Sequence, residues 1–181
     1  PDGSVYVIDW YDKNACHRSQ PEIWDRATGR LYRVSPVTPA PGSRRHLDLA
    51  QASPLVLAEL CLHPNDWYVR MARRLLAERG ADDAARTHLR KILRTHDKVD
   101  RRLRALWALH AVGAVDESTL SECLASTHEH VRAWAIQLAV EGRNPAPALQ
   151  ARFAELAATD ASPVVRLYLA SVLLVAVSKT V

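Results

Sequence analysis

A short pattern recurs four times along this chain of 181 residues, and it constrains the fold more than any other feature. Each copy places an apolar residue before an arginine and then continues with apolar residues at helical spacing. The arginines are separated by 34, 28 and 34 residues, and they are Arg70, Arg104, Arg132 and Arg166. A period of roughly 30 residues is typical of solenoids, in which helix pairs stack to share one core. The sequence therefore predicts a mainly α fold, with an α-solenoid over residues 46–181.

Local signals divide that region into helices. Ser53 followed by Pro54 predicts a helix start, because serine caps helix N-termini and proline fits the first helical position. Asp66 is predicted to cap a second helix, which ends where Gly80 permits a positive φ. The further predicted helices cover residues 82–95, 100–113, 117–125, 130–141, 146–158 and 163–177. This succession of helices corresponds to about four helix pairs.

The first 35 residues carry strand signals rather than helical periodicity. Val5–Ile8 and Leu31–Val34 are β-branched and aromatic runs of strand length, each bordered by turn residues. Two short strands are marginally stable on their own, so they are expected to belong to a larger β-structure or to be held against the helices. Residues 36–45 contain three prolines and a glycine, which predicts a linker between the β segment and the helices.

The β segment and the first helical repeat together resemble a known family. The runs that carry the resemblance are Asp2-Gly3-Ser4-Val5-Tyr6-Val7-Ile8-Asp9-Trp10-Tyr11-Asp12, Cys16-His17-Arg18, Asp25-Arg26-Ala27-Thr28-Gly29-Arg30-Leu31-Tyr32-Arg33-Val34 and His63-Pro64-Asn65-Asp66-Trp67-Tyr68. They are similar to the C-terminal part of the membrane-bound dehydrogenases common in planctomycetes, whose β-propeller resembles glucose/sorbosone dehydrogenases. The resemblance implies that residues 1–35 are a remnant of the last propeller blade and that HEAT-type repeats follow.

The resemblance also implies a chemical setting for the whole protein. Related sugar dehydrogenases hold the quinone cofactor PQQ and calcium in the propeller, and a domain with haem c often follows the repeats. The residues that would border such a pocket are Asp9, Trp10, His17 and Arg18. A structural role in closing the propeller is the favoured interpretation of this cluster. The implied location is periplasmic or membrane-associated.

The expected function of the chain itself is a non-catalytic one. The repeats would act as a protein-interaction or scaffold module, with a protein or the rest of the same chain as partner. One alternative is that the blade segment contributes pocket residues to a quinone-dependent sugar or alcohol dehydrogenase. A second alternative is nucleic-acid binding through the basic stripe at residues 86–104, which is disfavoured. No catalytic or metal-binding residue is predicted, because no catalytic triad signature, phosphate loop or haem CxxCH motif can be read from the sequence.

Two sets of arginines are candidates for an interaction surface. The four repeat arginines either line an anion-binding surface or pair with groups in neighbouring repeats, and pairing is the favoured interpretation. Arg86, Arg90 and Arg94 are four residues apart and share one helix face. They could meet nucleic-acid phosphates, but Asp97 and Asp100 interrupt the run and no aromatic residue lies within it. A solvated face is therefore favoured.

The basic charge is concentrated in the first 104 residues, and the three cysteines are widely separated. Residues 1–45 carry seven basic and five acidic side chains, residues 46–104 carry twelve and eight, and residues 105–181 carry five and seven. The cysteines Cys16, Cys61 and Cys123 lie far apart, which argues against a disulfide framework or a thiolate zinc site.

The last apolar helix is about 15 residues long and is predicted to be too short to span a bilayer. The absence of an initiator methionine is interpreted as the mark of a piece of a longer protein.

Overall fold

The computed structural model describes residues 4–9, 29–35, 37, 48–141 and 145–177, with side chains as far as Val172 in the last helix. The chain divides into two compact units, Pro1–Leu47 and Asp48–Val181. Among the described residues, the first unit contains a two-stranded antiparallel hairpin and the second contains eight helices. The described part of the chain is therefore mainly helical, as the repeat predicts.

The hairpin of the first unit has its strands where the sequence predicts them. They are β1 (Val5–Ile8) and β2 (Leu31–Val34). The strands pair antiparallel, with Val5 opposite Val34. Their side chains are exposed at every position, although most of them are apolar. Within its own unit, the hairpin therefore leaves its apolar surface uncovered.

The second unit consists of helices joined by short connections. They are α1 (Pro54–Leu60), α2 (Asp66–Arg79), α3 (Asp83–Thr95), α4 (Val99–Ala111), α5 (Glu117–Leu124), α6 (Glu129–Glu141), α7 (Pro147–Thr159) and α8 (Pro163–Val177). Each predicted helix is present, and its bounds lie within about two residues of the prediction, the usual uncertainty at helix ends. Capping and periodicity are local properties, so the sequence predicts them well.

Side-chain caps fix the starts of several helices. Ser53 accepts a hydrogen bond from the first turn of α1, and Asp82 does the same for α3. The prediction that Asp66 caps α2 is wrong. Asn65 is the cap, because its backbone is extended and its side chain accepts a hydrogen bond from the amide of Trp67 at 2.9 Å. Asp66 is instead the first helical residue, and its carboxylate remains available for another partner.

Glycines with positive φ follow α2 and α4. Gly80 has a φ of 84° and Gly113 a φ of 67°. A side chain at either position would find open space, but the left-handed backbone conformation itself disfavours residues other than glycine. These two glycines allow the chain to reverse between consecutive helices.

The helices pack in the order of the sequence. Within pairs, α1 packs on α2, α3 on α4, α5 on α6 and α7 on α8. Between pairs, α2, α4, α6 and α8 pack in series and form what we call the even-numbered row. One apolar core runs through these contacts, and its fully buried large side chains are Leu57, Leu76, Leu89, Leu106, Leu109, Leu124, Ile136, Val165 and Cys61. Each pair therefore completes its core with residues of its neighbours.

Candidate interaction surface

Two arginines of α4 bind the turn that precedes α2. Arg101 and Arg104 donate to the carbonyl oxygen of His63, at 3.0 and 3.1 Å. Arg104 also forms an ion pair with Asp66, in which Nη2 lies 2.6 Å from Oδ1. Only 15% of each arginine side chain is exposed. The repeat arginine at this position therefore connects one helix pair to the preceding one.

Arg132 of α6 connects its helix pair to the following one. Its Nε and Nη2 donate to the two carboxylate oxygens of Asp160 at 2.7 and 2.8 Å, and its Nη1 donates to the carbonyl of Ser126 at 2.8 Å. Asp160 lies between α7 and α8 and also accepts from the amide of Ser162 at 2.9 Å. The exposed fraction of the Asp160 side chain is 4%. Among the described residues, this bidentate pair is the most buried ion pair.

The other two repeat arginines behave differently. Arg166 donates to the carbonyls of Asp160 and Ala161 within its own helix pair, at 3.0 and 3.2 Å. Arg70 is exposed, and its guanidinium has no hydrogen-bond acceptor within the described part of the chain. The pairing between repeats that the sequence favours is therefore present for Arg104 and Arg132, and Arg70 is left available to a partner.

The three arginines of the basic run on α3 contact acceptors within the chain. Arg94 makes two hydrogen bonds to the carboxylate of Glu122 at 2.8 and 2.9 Å, and Arg86 lies 3.5 Å from the carboxylate of Asp83. Arg90 donates to a carbonyl between α4 and α5 at 3.4 Å. Binding to nucleic acid depends on cations that neutralise phosphates, and these three already have acceptors. The nucleic-acid hypothesis gains no support from their arrangement.

Of the four candidate pocket residues of the β segment, the structure describes only Asp9. Asp9 follows β1, is partly buried, and donates its backbone amide to the carbonyl of Arg30 at 2.8 Å. Trp10, His17 and Arg18 lie outside the described residues. That these residues border a cofactor pocket stays a prediction.

The structure groups Arg70, a repeat arginine, with three further side chains of α2 that the repeat pattern does not single out. Trp67, Arg70 and Arg74 follow one another along one side of α2, and all three are exposed. Arg73 lies beside them with its Cζ 5.8 Å from the centroid of the Trp107 ring of α4. We call these four residues of α2 the α2 face. Trp67, Arg70 and Arg74 lie on the side of α2 opposite to its buried residues Val69, Ala72 and Leu76, as their helical spacing predicts, and the packing of α4 brings Trp107 beside Arg73.

The aromatic side chains next to the α2 face continue across the even-numbered row. Trp107 of α4 contacts Trp134 of α6 edge to face, with ring centroids 5.0 Å apart and an interplanar angle of 72°. Both rings pack on the core while remaining partly exposed. Edge-to-face pairs of this kind add stability beyond the area they bury. The row therefore presents a fixed arrangement of aromatic rings beside the arginines of α2.

Three carboxyl groups of the helical unit are held in their charged form. A hydrogen bond from Arg132 lowers the pKa of Asp160, and a hydrogen bond from Arg94 lowers the pKa of Glu122. The pKa of Asp116 is also lowered, because its carboxylate accepts hydrogen bonds from the side chain and backbone of a threonine in the first turn of α5. Each group favours the folded state only while it is ionised.

We expect the free energy of unfolding to decrease as the pH falls from about 5 to about 3, because these carboxyls have lower pKa values in the folded than in the unfolded chain. The unfolded chain then binds more protons, so acid favours it. Urea unfolding at a series of pH values would measure the decrease. The variant Asp160→Asn should be less stable at neutral pH, and its free energy of unfolding should change less steeply with pH. An unchanged slope in this variant would contradict the assignment to Asp160.

Two cysteines of the helical unit, Cys61 and Cys123, are buried and carry free thiols. Burial raises the pKa of Cys61 and of Cys123 to about 11, so both are protonated at neutral pH and are poor nucleophiles. Among the described residues, no group of three or more His, Cys, Asp or Glu side chains could hold a metal ion.

The fold and this surface define a mainly helical protein in which consecutive helix pairs are joined by arginine contacts, with a hairpin at the N-terminal side. No family model matches the chain, and comparisons with curated proteins and with solved structures also gave no match. Within the described residues, no helix combines the length and the apolar character needed to cross a membrane.

Proposed function

We propose that the chain is a non-catalytic interaction or scaffold module, in which the last blade of a β-propeller is followed in the sequence by an α-solenoid of HEAT-type helix pairs. The observation that carries the proposal is the serial packing of α2, α4, α6 and α8, with Arg104 and Arg132 connecting consecutive pairs. Solenoids of this kind extend by adding pairs and present one row of helices to partners. The proposed parent is a glucose/sorbosone dehydrogenase-like protein, located in the periplasm or at the membrane.

The hairpin supports the propeller part of the proposal. Val5, Val7, Tyr32 and Val34 share one face of the hairpin, and Tyr6, Ile8 and Leu31 share the other face with Arg33. The exposed fractions of the apolar side chains range from 46% for Tyr32 to 77% for Ile8. An isolated amphipathic hairpin has one apolar and one polar face, whereas a propeller blade is covered by neighbouring blades on both faces. Two apolar faces are what a blade strand pair requires.

The proposal assigns no catalytic role to this chain. A quinone-dependent oxidation needs a positioned acid or base and a preorganised cofactor pocket. PQQ, calcium and haem c would belong to other parts of the parent protein. The alternative in which Asp9, Trp10, His17 and Arg18 contribute to the pocket of a dehydrogenase stays a prediction, as does nucleic-acid binding through the basic stripe.

The two-sided hairpin can be tested with a dye whose fluorescence reports exposed apolar surface. We expect the full chain to bind anilinonaphthalene sulfonate, and we expect both Val34→Thr on one face and Ile8→Thr on the other to reduce the fluorescence. Leu167→Thr on α8 is the control, because Leu167 is 67% exposed but lies in the helical unit. A loss of fluorescence confined to one face would show a one-sided hairpin and would contradict the blade assignment.

The non-catalytic assignment has a separate test. The purified chain is incubated with PQQ, calcium and glucose or sorbosone, and reduction of an electron-accepting dye is followed by absorbance. We expect no reduction above the rate without protein. Turnover that depends on both the protein and the sugar would contradict the proposal and would favour the dehydrogenase alternative.

A further inference from the structure

The α2 face combines accessible arginines with an accessible aromatic ring. Trp67 is 42% exposed and is held edge-on against Tyr68, with ring centroids 5.0 Å apart. Arg73 is held against the ring of Trp107, and the Arg74 side chain is 69% exposed. Tryptophan and arginine are the residue types that most often dominate binding energy at protein interfaces. Side chains already held in place lose less entropy when a partner binds.

We propose that the α2 face binds an acidic peptide segment of a partner protein. Carboxylates of the peptide meet the guanidinium groups of Arg70 and Arg73, and an apolar side chain of the peptide packs on the ring of Trp67. This inference rests on the proposed function only in that the helical unit serves as an interaction module; it does not depend on the propeller.

Charge complementarity identifies the partner as acidic. Residues 46–104, which contain α2, carry twelve basic and eight acidic side chains. The two acidic residues of α2 are already occupied, because Asp66 pairs with Arg104 and Glu78 pairs with Arg74 at 2.7 Å. Arg70 has no acceptor in the described part of the chain, and guanidinium groups bind carboxylates through paired hydrogen bonds. A partner with carboxylates therefore supplies what the α2 face lacks.

The dimensions of the α2 face fit a short extended peptide. Trp67 and Arg74 are seven residues apart in one helix, which places them about 10 Å apart along its axis. An extended peptide covers this distance with about three residues. Residues two positions apart in such a peptide point to the same side, so an apolar residue at position i and an acidic residue at position i+2 can meet Trp67 and an arginine together.

An acidic peptide is favoured over nucleic acid because the cations are few and local. Nucleic-acid binding without base readout uses many phosphate contacts spread along a groove, and it weakens steeply with salt. The arginines of the neighbouring α3 run, which would have to extend such a groove, are bonded to acceptors within the chain. The available cations of the α2 face match a few carboxylates better than a polyphosphate backbone.

The test is fluorescence anisotropy with a fluorescein-labelled peptide of about eight residues, long enough to cover the α2 face. Leu and Glu occupy every second position in turn and Ser fills the positions between them, so that the Leu and Glu side chains lie on one side of the extended peptide. The protein is the full chain. Comparison peptides carry Gln in place of every Glu, or Ser in place of every Leu. A labelled oligonucleotide of similar length tests the nucleic-acid possibility. The protein variants are Arg70→Glu and Trp67→Ala, and the matched control is Lys91→Glu, which reverses an exposed charge on α3.

We expect the Glu–Leu peptide to bind the unmodified protein saturably. Its affinity for Arg70→Glu should be at least about fivefold lower, a decrease typical of reversing one exposed charge contact. Trp67→Ala should weaken binding to a similar extent, Lys91→Glu should change it by less than about twofold, and both altered peptides should bind more weakly. Circular dichroism verifies that each variant is folded. Absent binding, equal binding of the Gln peptide, equal effects of Arg70→Glu and Lys91→Glu, or tighter binding of the oligonucleotide would each overturn the inference.

The outcome is independent of the test on the hairpin. The anisotropy measurement reports on α2 in the unit Asp48–Val181, whereas the dye measurement reports on β1 and β2 in the unit Pro1–Leu47. Failure of the peptide to bind leaves the blade assignment as it stands. A one-sided hairpin likewise leaves peptide binding by the α2 face as it stands.

Discussion

Arg132→Met is expected to lower the free energy of unfolding by about 3 kcal/mol, the cost of leaving a buried charge without its partner. The substitution keeps a long side chain but removes the three donors that bind Asp160 and the carbonyl of Ser126. Asp160 then retains one hydrogen bond, from the amide of Ser162, while its side chain stays 4% exposed. Water cannot replace the guanidinium without opening the contact between the third helix pair (α5 and α6) and the fourth (α7 and α8).

Urea or thermal unfolding of the purified variant measures this loss. Arg74→Met is the matched control, because Arg74 also pairs with a carboxylate, that of Glu78, but both side chains are at least half exposed. We expect this control to leave the stability unchanged, since exposed pairs contribute little. The double variant Arg132→Met with Asp160→Asn should recover part of the loss, because the uncompensated charge is gone. Equal effects of Arg132→Met and Arg74→Met would contradict a structural role of the buried pair.

Leu106→Ala is expected to lower the free energy of unfolding by about 3 kcal/mol, because it removes buried methyl groups and leaves a cavity that its neighbours fill only partly. Leu106 is fully buried in α4, the helix that packs on α2, α3 and α6. A cavity at this position removes contacts in the middle of the stack rather than at one end. Urea unfolding followed by circular dichroism measures the change.

The control for Leu106→Ala is the same substitution at an exposed leucine. Leu167 of α8 is 67% exposed, so Leu167→Ala removes the same atoms without opening a cavity. We expect it to change the stability by less than about 0.5 kcal/mol, as is usual at the surface. A loss at Leu106 no larger than the loss at Leu167 would mean that α4 is not in the centre of a shared core.

The elements of this fold follow from local properties of the sequence. Ser53 and Asp82 start helices because their side chains accept backbone hydrogen bonds, and Gly80 ends one because it tolerates a φ of 84°. The strands at Val5–Ile8 and Leu31–Val34 follow from β-branched and aromatic residues between turn signals. The cap of α2 is the exception, because the sequence predicts Asp66 and the structure has the adjacent Asn65. Both residue types can cap a helix, and only the extended backbone of Asn65 selects it.

The partners of the repeat arginines are decided by the tertiary structure alone. The sequence places Arg70, Arg104 and Arg132 at equivalent positions, yet Arg104 reaches back to Asp66, Arg132 reaches forward to Asp160, and Arg70 stays exposed. These contacts join residues 38 and 28 positions apart, so they depend on how consecutive helix pairs stack. The periodic pattern determines that there are helices with one buried face. Only their packing determines which arginines are used within the chain and which remain for a partner.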